Sequence, residues 1–277
     1  ENDYSVYEVF SDKNKAKELC QKLGVNVPVE YDLSNVEDLK GILYPVVIKP
    51  SEKMTTLGVG KCICLDSVGN LIRFLEETDS LGIDRGKLIC QQFVVGDNRW
   101  EYGYGGFFQN GNPTVDICFH QFRQQPQGLS CYVREMSNDN LKHRIIELVR
   151  PILDTTKING FVEFDIKQDE KSGTLYLLDV NPRPWKSCDM LALKLGKSTV
   201  FSPKTNNRRV VWRQPYLELL SRMNVHNPSY KECKRIACGR DYSQCLALFS
   251  WHDMKPYVKR FNVVVDEIFN KIIGKLK

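Results

Sequence analysis

No stretch of this chain approaches the ~20 consecutive apolar residues that a membrane-spanning helix needs. Long basic runs are missing too. The 39 lysines and arginines are interspersed with 34 acids, leaving a net charge of +5 and a pI of about 8.6. A nucleic-acid partner is therefore not expected, nor is a membrane. Histidine is scarce, with four in all (His120, His143, His226 and His252), and the ten cysteines include no CxxC pair. That argues against a zinc site. Cys20 falls on an apolar helix stripe, and Cys62 and Cys64 lie in the run KCICL. Both settings read as buried free thiols in a reducing compartment, so the expected location is cytoplasmic. Internal repeats and low-complexity tracts are absent. The chain starts at Glu1 rather than Met, so the lack of a signal peptide excludes nothing.

What is present is material for a sizeable core: 277 residues, 42% of them hydrophobic. Ser11 is a candidate cap for a helix with the stripe Ala16, Leu19, Cys20 and Leu23, stopped by Gly24. A buried strand runs from Tyr44 to Lys49-Pro50, and a loop leads from it into the strand KCICL. A short helix is expected over 70–77 and a strand over 88–95. A long antiparallel pair, 100–109 and 114–125, flanks the turn Asn110-Gly111-Asn112-Pro113. Helices follow over 139–154, with Pro151 inside, and over 189–195. The polar stretch 201–209 reads as a boundary, and an amphipathic helix as the C-terminal element. Mostly antiparallel strands with segregated helices predict an α+β fold.

The most informative segment is GFVEFDIKQDEKSGTLYLLDVNPRPW, residues 160–185. Period-2 alternation makes its first half a half-buried strand, with Glu163, Asp165 and Lys167 on one face. Asp169 to Gly173 reads as a turn. A turn centred on Lys171 sets Glu163 opposite Asp179 and Phe161 opposite Asn181, with Leu177 on the same face. Like charges directly opposite destabilise a sheet, so a cation is expected between them. Two carboxylates and an amide oxygen are hard ligands suited to Mg²⁺. Arg183 is in phase to meet phosphate or carboxylate as a fork. The bland alternative is a solvated strand face, and the apolar neighbours speak against it.

A second segment, YPVVIKPSEKMTTLGVGK, delivers Lys49 at a strand end and then a loop containing Gly58 and Gly60. Glycines let backbone amides approach phosphate, and lysine adds a point charge. The GxxxxGK[ST] pattern is absent, so this is not a P-loop. Alone, it is equally a glycine-containing hairpin turn.

The order SDKNKAKELC, strand–Lys49–glycine loop, LICQQFVVG, Glu163 and LLDVNPRP resembles the ATP-grasp superfamily over roughly residues 11–195. Within it, the chain looks most like stand-alone ligases similar to the large subunit of carbamoyl-phosphate synthetase, a set that includes D-aspartate ligases. HQFRQQPQG and ALFSWHDMKPY are softer matches to that subgroup. The resemblance implies two α+β subdomains clamping ATP: a helix and linker over 1–43, a small lid over 44–95, a large ATP- and metal-binding subdomain over 96–200, and an extension over 201–277 packed on the core. It implies that Lys13 and Lys49 contact phosphates, and that the loop 51–60 closes over them through Thr55, Thr56, Gly58 and Gly60. Gln91, Gln92, Phe93 and Val94 are implied to line the adenine. Glu163, Asp179 and Asn181 would hold Mg²⁺ or Mn²⁺, and Arg183, with Lys49, would lie at the reacting phosphate. Relatives usually carry Glu where this chain has Gln92, and a longer acid where it has Asp179; its loop has fewer glycines.

The implied activity is an ATP-dependent, ADP-producing ligase that joins a carboxylate to an amine or thiol through an acyl phosphate. Arg123 and Arg134 are candidates for holding a substrate carboxylate, each equally readable as a plain surface arginine; Lys186 is a candidate for the acceptor pocket, with Trp185 either edging that pocket or packing. Ligases of this fold normally have an α/β domain before the DK helix, and eleven residues precede Asp12 here. Two alternatives therefore stand beside the ligase: a nucleotide-binding fragment without ligase activity of its own, and an ATP-grasp kinase.

Overall fold

The computed structural model describes residues 4–34, 38–51, 62–124, 129–196, 198–205, 208–214, 217 and 242–246. Among them are helices α1 (Tyr4–Ser11), α2 (Lys13–Lys22), α3 (Val68–Ser80), α4 (Asp139–Thr156) and α5 (Asp189–Leu195). A small sheet contains β1 (Glu30–Tyr31), β2 (Val46–Pro50), β3 (Ile63–Leu65) and β4 (Leu88–Gln92) in the order β1-β4-β2-β3, all antiparallel. The larger sheet is built from β5 (Glu101–Gln109), β6 (Asn112–Gln124), β7 (Ser130–Glu135), β8 (Gly160–Gln168), β9 (Leu175–Asn181), β10 (Arg209–Arg213) and β11 (Tyr242–Leu246). Its order is β11-β10-β7-β6-β5-β8-β9, and among the described pairs only β10–β11 is parallel. The α+β expectation holds. The expected C-terminal helix lies outside the described residues.

Local chemistry sets the element ends. Asp12, not Ser11, caps α2: its carboxylate accepts from the N–H of Asn14 and Lys15. Ser11 belongs to the end of α1, where its hydroxyl donates to Tyr7 O. Asp and Ser are comparable caps, so adjacent candidates cannot be ranked by type alone. Ser67 caps α3, which therefore starts at Val68 and runs to Ser80, longer than expected at both ends. Asn110 and Gly111 form a two-residue hairpin turn, both at positive φ. A Cβ on Gly111 would lie 2.3 Å from Leu153 O, so only glycine lets this turn dock on α4.

The larger sheet has two different faces. One carries Tyr102, Tyr104, Cys118, Val162, Phe164 and Ile166 and is covered by α1, α2 and α4. Helix α4 contributes Ile145, Val149, Ile152 and Leu153, one stripe at helical spacing. Each such side chain contributes about 1.5–3 kcal/mol when fully buried. The opposite face carries Ile117, Phe119, Val133 and Trp212, covered by Trp185 and α5.

The β8–β9 hairpin departs from expectation in a way that shapes the site. Its turn is centred between Lys171 and Ser172, since Gln168 pairs with Leu175. Asp169 Oδ1 accepts from Lys171 N, Ser172 N and Ser172 Oγ, and its Oδ2 accepts from Val95 N. A β-bulge between Asp165 and Ile166 on the ladder adds Leu178 to β9. The pairing beyond it is Glu163 with Asn181 and Asp165 with Asp179, not Glu163 with Asp179. The extra residue also reverses the faces. Leu175 and Leu177 join Val180 in the core, so Leu177 does not share the face of Glu163. Two further expectations change. Strand β4 ends at Gln92, and Cys62 and Cys64 are exposed. Strand β3 lies at the edge of its sheet and packs only Ile63 and Leu65, which leaves Cys64 on the other face. Cys20 is buried as expected, and Cys90, Cys118 and Cys131 are buried as well.

Candidate active site: a cation-hungry face beside an anion-hungry cleft

Helix α2 and strand β2 bring two lysines together. Asp12 fixes the start of α2, and Lys13 Nζ donates to Pro50 O at 3.0 Å, beside the end of β2. Lys49 lies one residue before Pro50. Burial, followed by the charge of Lys13, holds the Lys49 ammonium below its ordinary range, while Asp179 and Glu30 pull the other way. Gln91 pairs with Val47 on the adjacent strand, so it shares the face of Lys49. Lys13, Lys49, Gln91, Leu178 and Asp179 line one narrow cleft of about 50 Å³. Lys17 and Glu30 also line it, ion-paired at 2.6 Å. A larger hollow of about 500 Å³ lies between α4 and the β8–β9 turn, lined by Arg144, Glu147 and Gly173. It is open, and none of the motif residues faces it.

Beside the cleft, the bulge sets Glu163 and Asp165 of β8 and Asp179 and Asn181 of β9 on a single face. Asn181 Nδ2 donates to Asp165 Oδ2 at 3.3 Å and reaches Glu163 Oε2 at 3.5 Å. Arg183 donates to Asn181 Oδ1 at 3.1 Å. Burial, then the charges of Asp165 and Asp179, raise the Glu163 carboxyl to about 9, against the opposing pull of Arg183. The burial has a structural source. Gly103 and Gly105 of β5 stand opposite Asp165 and Glu163. A Cβ on Gly105 would meet the Trp185 ring at 2.8 Å, and one on Gly103 would meet the Phe119 ring at 2.2 Å. The two rings stack 6.2 Å apart and form a dry floor beside the acids. Trp185 is therefore a packing residue here, 4% exposed.

A further polar group lies along the same face. Lys167 Nζ is 3.6 Å from Glu101 and 4.8 Å from the centre of the Phe93 ring. Gln124 donates to Glu101. Burial pushes the Glu101 carboxyl up, opposed by Lys167.

Of the residues singled out by sequence, Lys13, Lys49, Gln91 and Asp179 converge on the cleft, with Glu163, Asn181 and Arg183 beside it. Gln92, Phe93 and Val94 do not all point the same way. Gln92 Oε1 accepts from Val29 N at 3.4 Å, Phe93 lies under Lys167, and Val94 is buried. Lys186 lies on the acidic face's side of the sheet, donating to Ser130 O at 3.1 Å near the Trp212 ring. Arg123 and Arg134 lie on the reverse face, where Arg123 pairs with Tyr132 and Arg134 with His120. Thr55, Thr56, Gly58 and Gly60 lie outside the described residues. Sequence reasoning missed Asp165, Gln121 and Glu101 as members of this network. Asp165 had a signal, since it alternates in phase with Glu163.

Among the described residues, no three His, Cys, Asp or Glu side chains form a ready-made metal cage. Two acids and an amide oxygen still match Mg²⁺, which completes its shell with water and phosphate. The raised carboxyl of Glu163 and its like-charged neighbours fit a cation at this face.

The fold has known counterparts. The biotin carboxylase domain of the Hydrogenobacter thermophilus 2-oxoglutarate carboxylase, solved with MgADP and bicarbonate, matches with a TM-score of 0.56. The two share 20% identity over 71% of this chain and 45% of that one. The L-amino acid ligase from Bacillus licheniformis matches with a TM-score of 0.54 at 17% identity, over 70% of this chain and 46% of that one. The chain has an ATP-grasp fold. A curated relative, the D-aspartate ligase of Enterococcus faecium (strain Aus0004), is 23% identical over 206 residues, 69% of this chain and 48% of the relative. The chain thus spans about half the length of the proteins it matches. No family model matches it. Among the described residues, no helix is long and apolar enough to cross a membrane.

Proposed function

We propose that this chain binds Mg·ATP and serves an ADP-producing ligase that joins a carboxylate to an amine through an acyl phosphate. One observation carries the nucleotide reading. Burial and the charge of Lys13 press Lys49 toward its neutral form in a cleft, burial and the charges of Asp165 and Asp179 keep Glu163 protonated beside it, and Asp179 borders both. A ligand that is at once polyanion and divalent cation relieves both. The relationship to a D-aspartate ligase supports the ligase reading.

In this reading Glu163, Asp179 and Asn181 hold Mg²⁺, or Mn²⁺ in its place. When bound, the ion neutralises phosphate charge and orients the transferred group. Lys13 and Lys49 hold phosphate oxygens, and Arg183 faces the charge that builds on the transferred phosphoryl group. The cleft is narrower than a nucleotide, so the Lys13–Pro50 and Lys17–Glu30 contacts give way as ATP enters. Lys186 and Ser130 border the acceptor side. Positioning and exclusion of water protect the acyl phosphate from hydrolysis.

The half-length match supports a second reading, in which this stretch supplies the nucleotide half of a larger enzyme. One experiment separates them. The chain is incubated with Mg·ATP and a panel of amino acids and amines, and ADP and amide are quantified. Amide formed in step with ADP supports the ligase. Mg·ADP binding without acceptor-dependent ADP release supports the nucleotide-binding half. No binding of either nucleotide removes both.

A further inference from the structure

We propose that Gln121 is a positioning residue that holds Asp165 and Asn181 in register for the cation. This rests on the reading of the acidic face as a Mg²⁺ site. Gln121 lies on β6, two strands away from Asp165 on β8, with β5 between them. It reaches across because β5 offers only a glycine, Gly103, opposite Asp165. The β6–β7 ladder is irregular between His120 and Arg123, and a bulge of this kind re-aims a side chain.

The contacts form a directed chain. Ser130 Oγ donates to Gln121 Oε1. Gln121 Nε2 donates to Asp165 Oδ1 at 3.0 Å. Asp165 Oδ2 accepts from Asn181 Nδ2, whose Oδ1 accepts from Arg183. Each carboxamide has one donating and one accepting end, so neither can turn over without setting oxygen against oxygen. Asp165 sets which end of Gln121 faces it, Ser130 holds the other end, and Asp165 with Arg183 sets the orientation of Asn181. The amide oxygen of Asn181 is the end a hard cation takes. Lys186 donates to the carbonyl of the same Ser130, so the chain also ends beside the acceptor side.

Outer partners of metal ligands typically change metal affinity by about 10–100-fold when removed. The test follows the melting temperature with saturating ADP as Mg²⁺ is titrated, and reads the Mg²⁺ concentration at half of the rise. Gln121→Leu should raise that midpoint about tenfold or more. Ser130→Ala, which releases the oxygen end of the Gln121 amide but leaves the packing intact, should raise it by less and serves if Gln121→Leu does not fold. In an Asp165→Asn background, Gln121→Leu should add nothing further, because its route to the cation is already cut. A general packing defect would lower the melting temperature without Mg²⁺ and leave the midpoint alone. Unchanged midpoints in both variants, or an equal further rise in the Asp165→Asn background, overturn the proposal. A native response that Glu163→Gln abolishes but the Gln121 and Ser130 variants keep overturns this inference alone. A native protein that does not respond to Mg·ADP overturns the site reading, and this inference with it.

Discussion

Glu163→Gln in the absence of divalent cations should stabilise the protein, although it removes a proposed ligand. The native carboxyl is raised from 4.5 to about 9, first by burial and then by Asp165 and Asp179. Between those values the folded chain keeps a proton that the unfolded chain releases. Stability therefore falls as pH rises through this window, by about 1.4 kcal/mol per pH unit for this group. From about pH 5.5 to about pH 8 the loss is about 3 kcal/mol, set by the unfolded value and the pH as long as the folded value stays above the range. Glutamine has nearly the same shape and no proton to hold. The assay is urea unfolding with chelator across that range, comparing native and variant at each pH. The native stability should decline relative to the variant by about 3 kcal/mol. Adding Mg²⁺ and ADP should reverse the order, raising the native protein and leaving the variant behind. Parallel stability curves with chelator would refute the account of a carboxyl held neutral by burial and like charge.

Other consequences can be measured separately. His120 is packed between Tyr102 and Phe122, and burial lowers its imidazole to about 4. Its stabilising share is complete above about pH 6.5 and is lost as pH falls toward 4, about 3 kcal/mol in all. His120→Phe should flatten that acid limb in a pH series of unfolding curves, and an unchanged limb would refute the assignment. Gly105→Ala sets a methyl 2.8 Å from the Trp185 ring. It should cost about 1–3 kcal/mol and shift the tryptophan fluorescence; a neutral change would mean the ring moves freely. Asp12→Ala removes the cap of α2, at about 1 kcal/mol in unfolding. It should also weaken ADP binding because Lys13 begins that helix, and unaltered ADP binding would detach the cap from the site.

The parts of the site carried by strand ends and helix starts were legible in the sequence. Lys49 ends a buried strand and Lys13 opens a helix, so short-range pattern suffices to place both. The acidic hairpin was recognised, and its register was not. A uniform strand from Leu175 to Asn181 would put Leu175 and Leu177 on one face with Asp179 and Asn181. That mixture of two apolar and two polar residues is a conflict, and the bulge at Leu178 resolves it. The break in polarity was the available signal. Gln121 and Glu101 were not recoverable this way, because their partners come from strands far apart in sequence. The face that Arg123 and Arg134 take was not legible for the same reason, since it depends on an irregular ladder between β6 and β7.

The bulge also sets a rule of length for β9. Its two halves serve different masters: Leu175 and Leu177 belong to the interior, Asp179 and Asn181 to the chemistry. A deletion of one residue at Leu178 would not merely shorten the strand. It would drive a carboxylate and an amide toward the aliphatic side chains of α4, or pull two leucines out into water. The connecting turn, anchored by Asp169, is the place where changes in length can be absorbed. Length variation among functional versions of this hairpin should gather in that turn, while the count from Leu175 to Asn181 stays fixed.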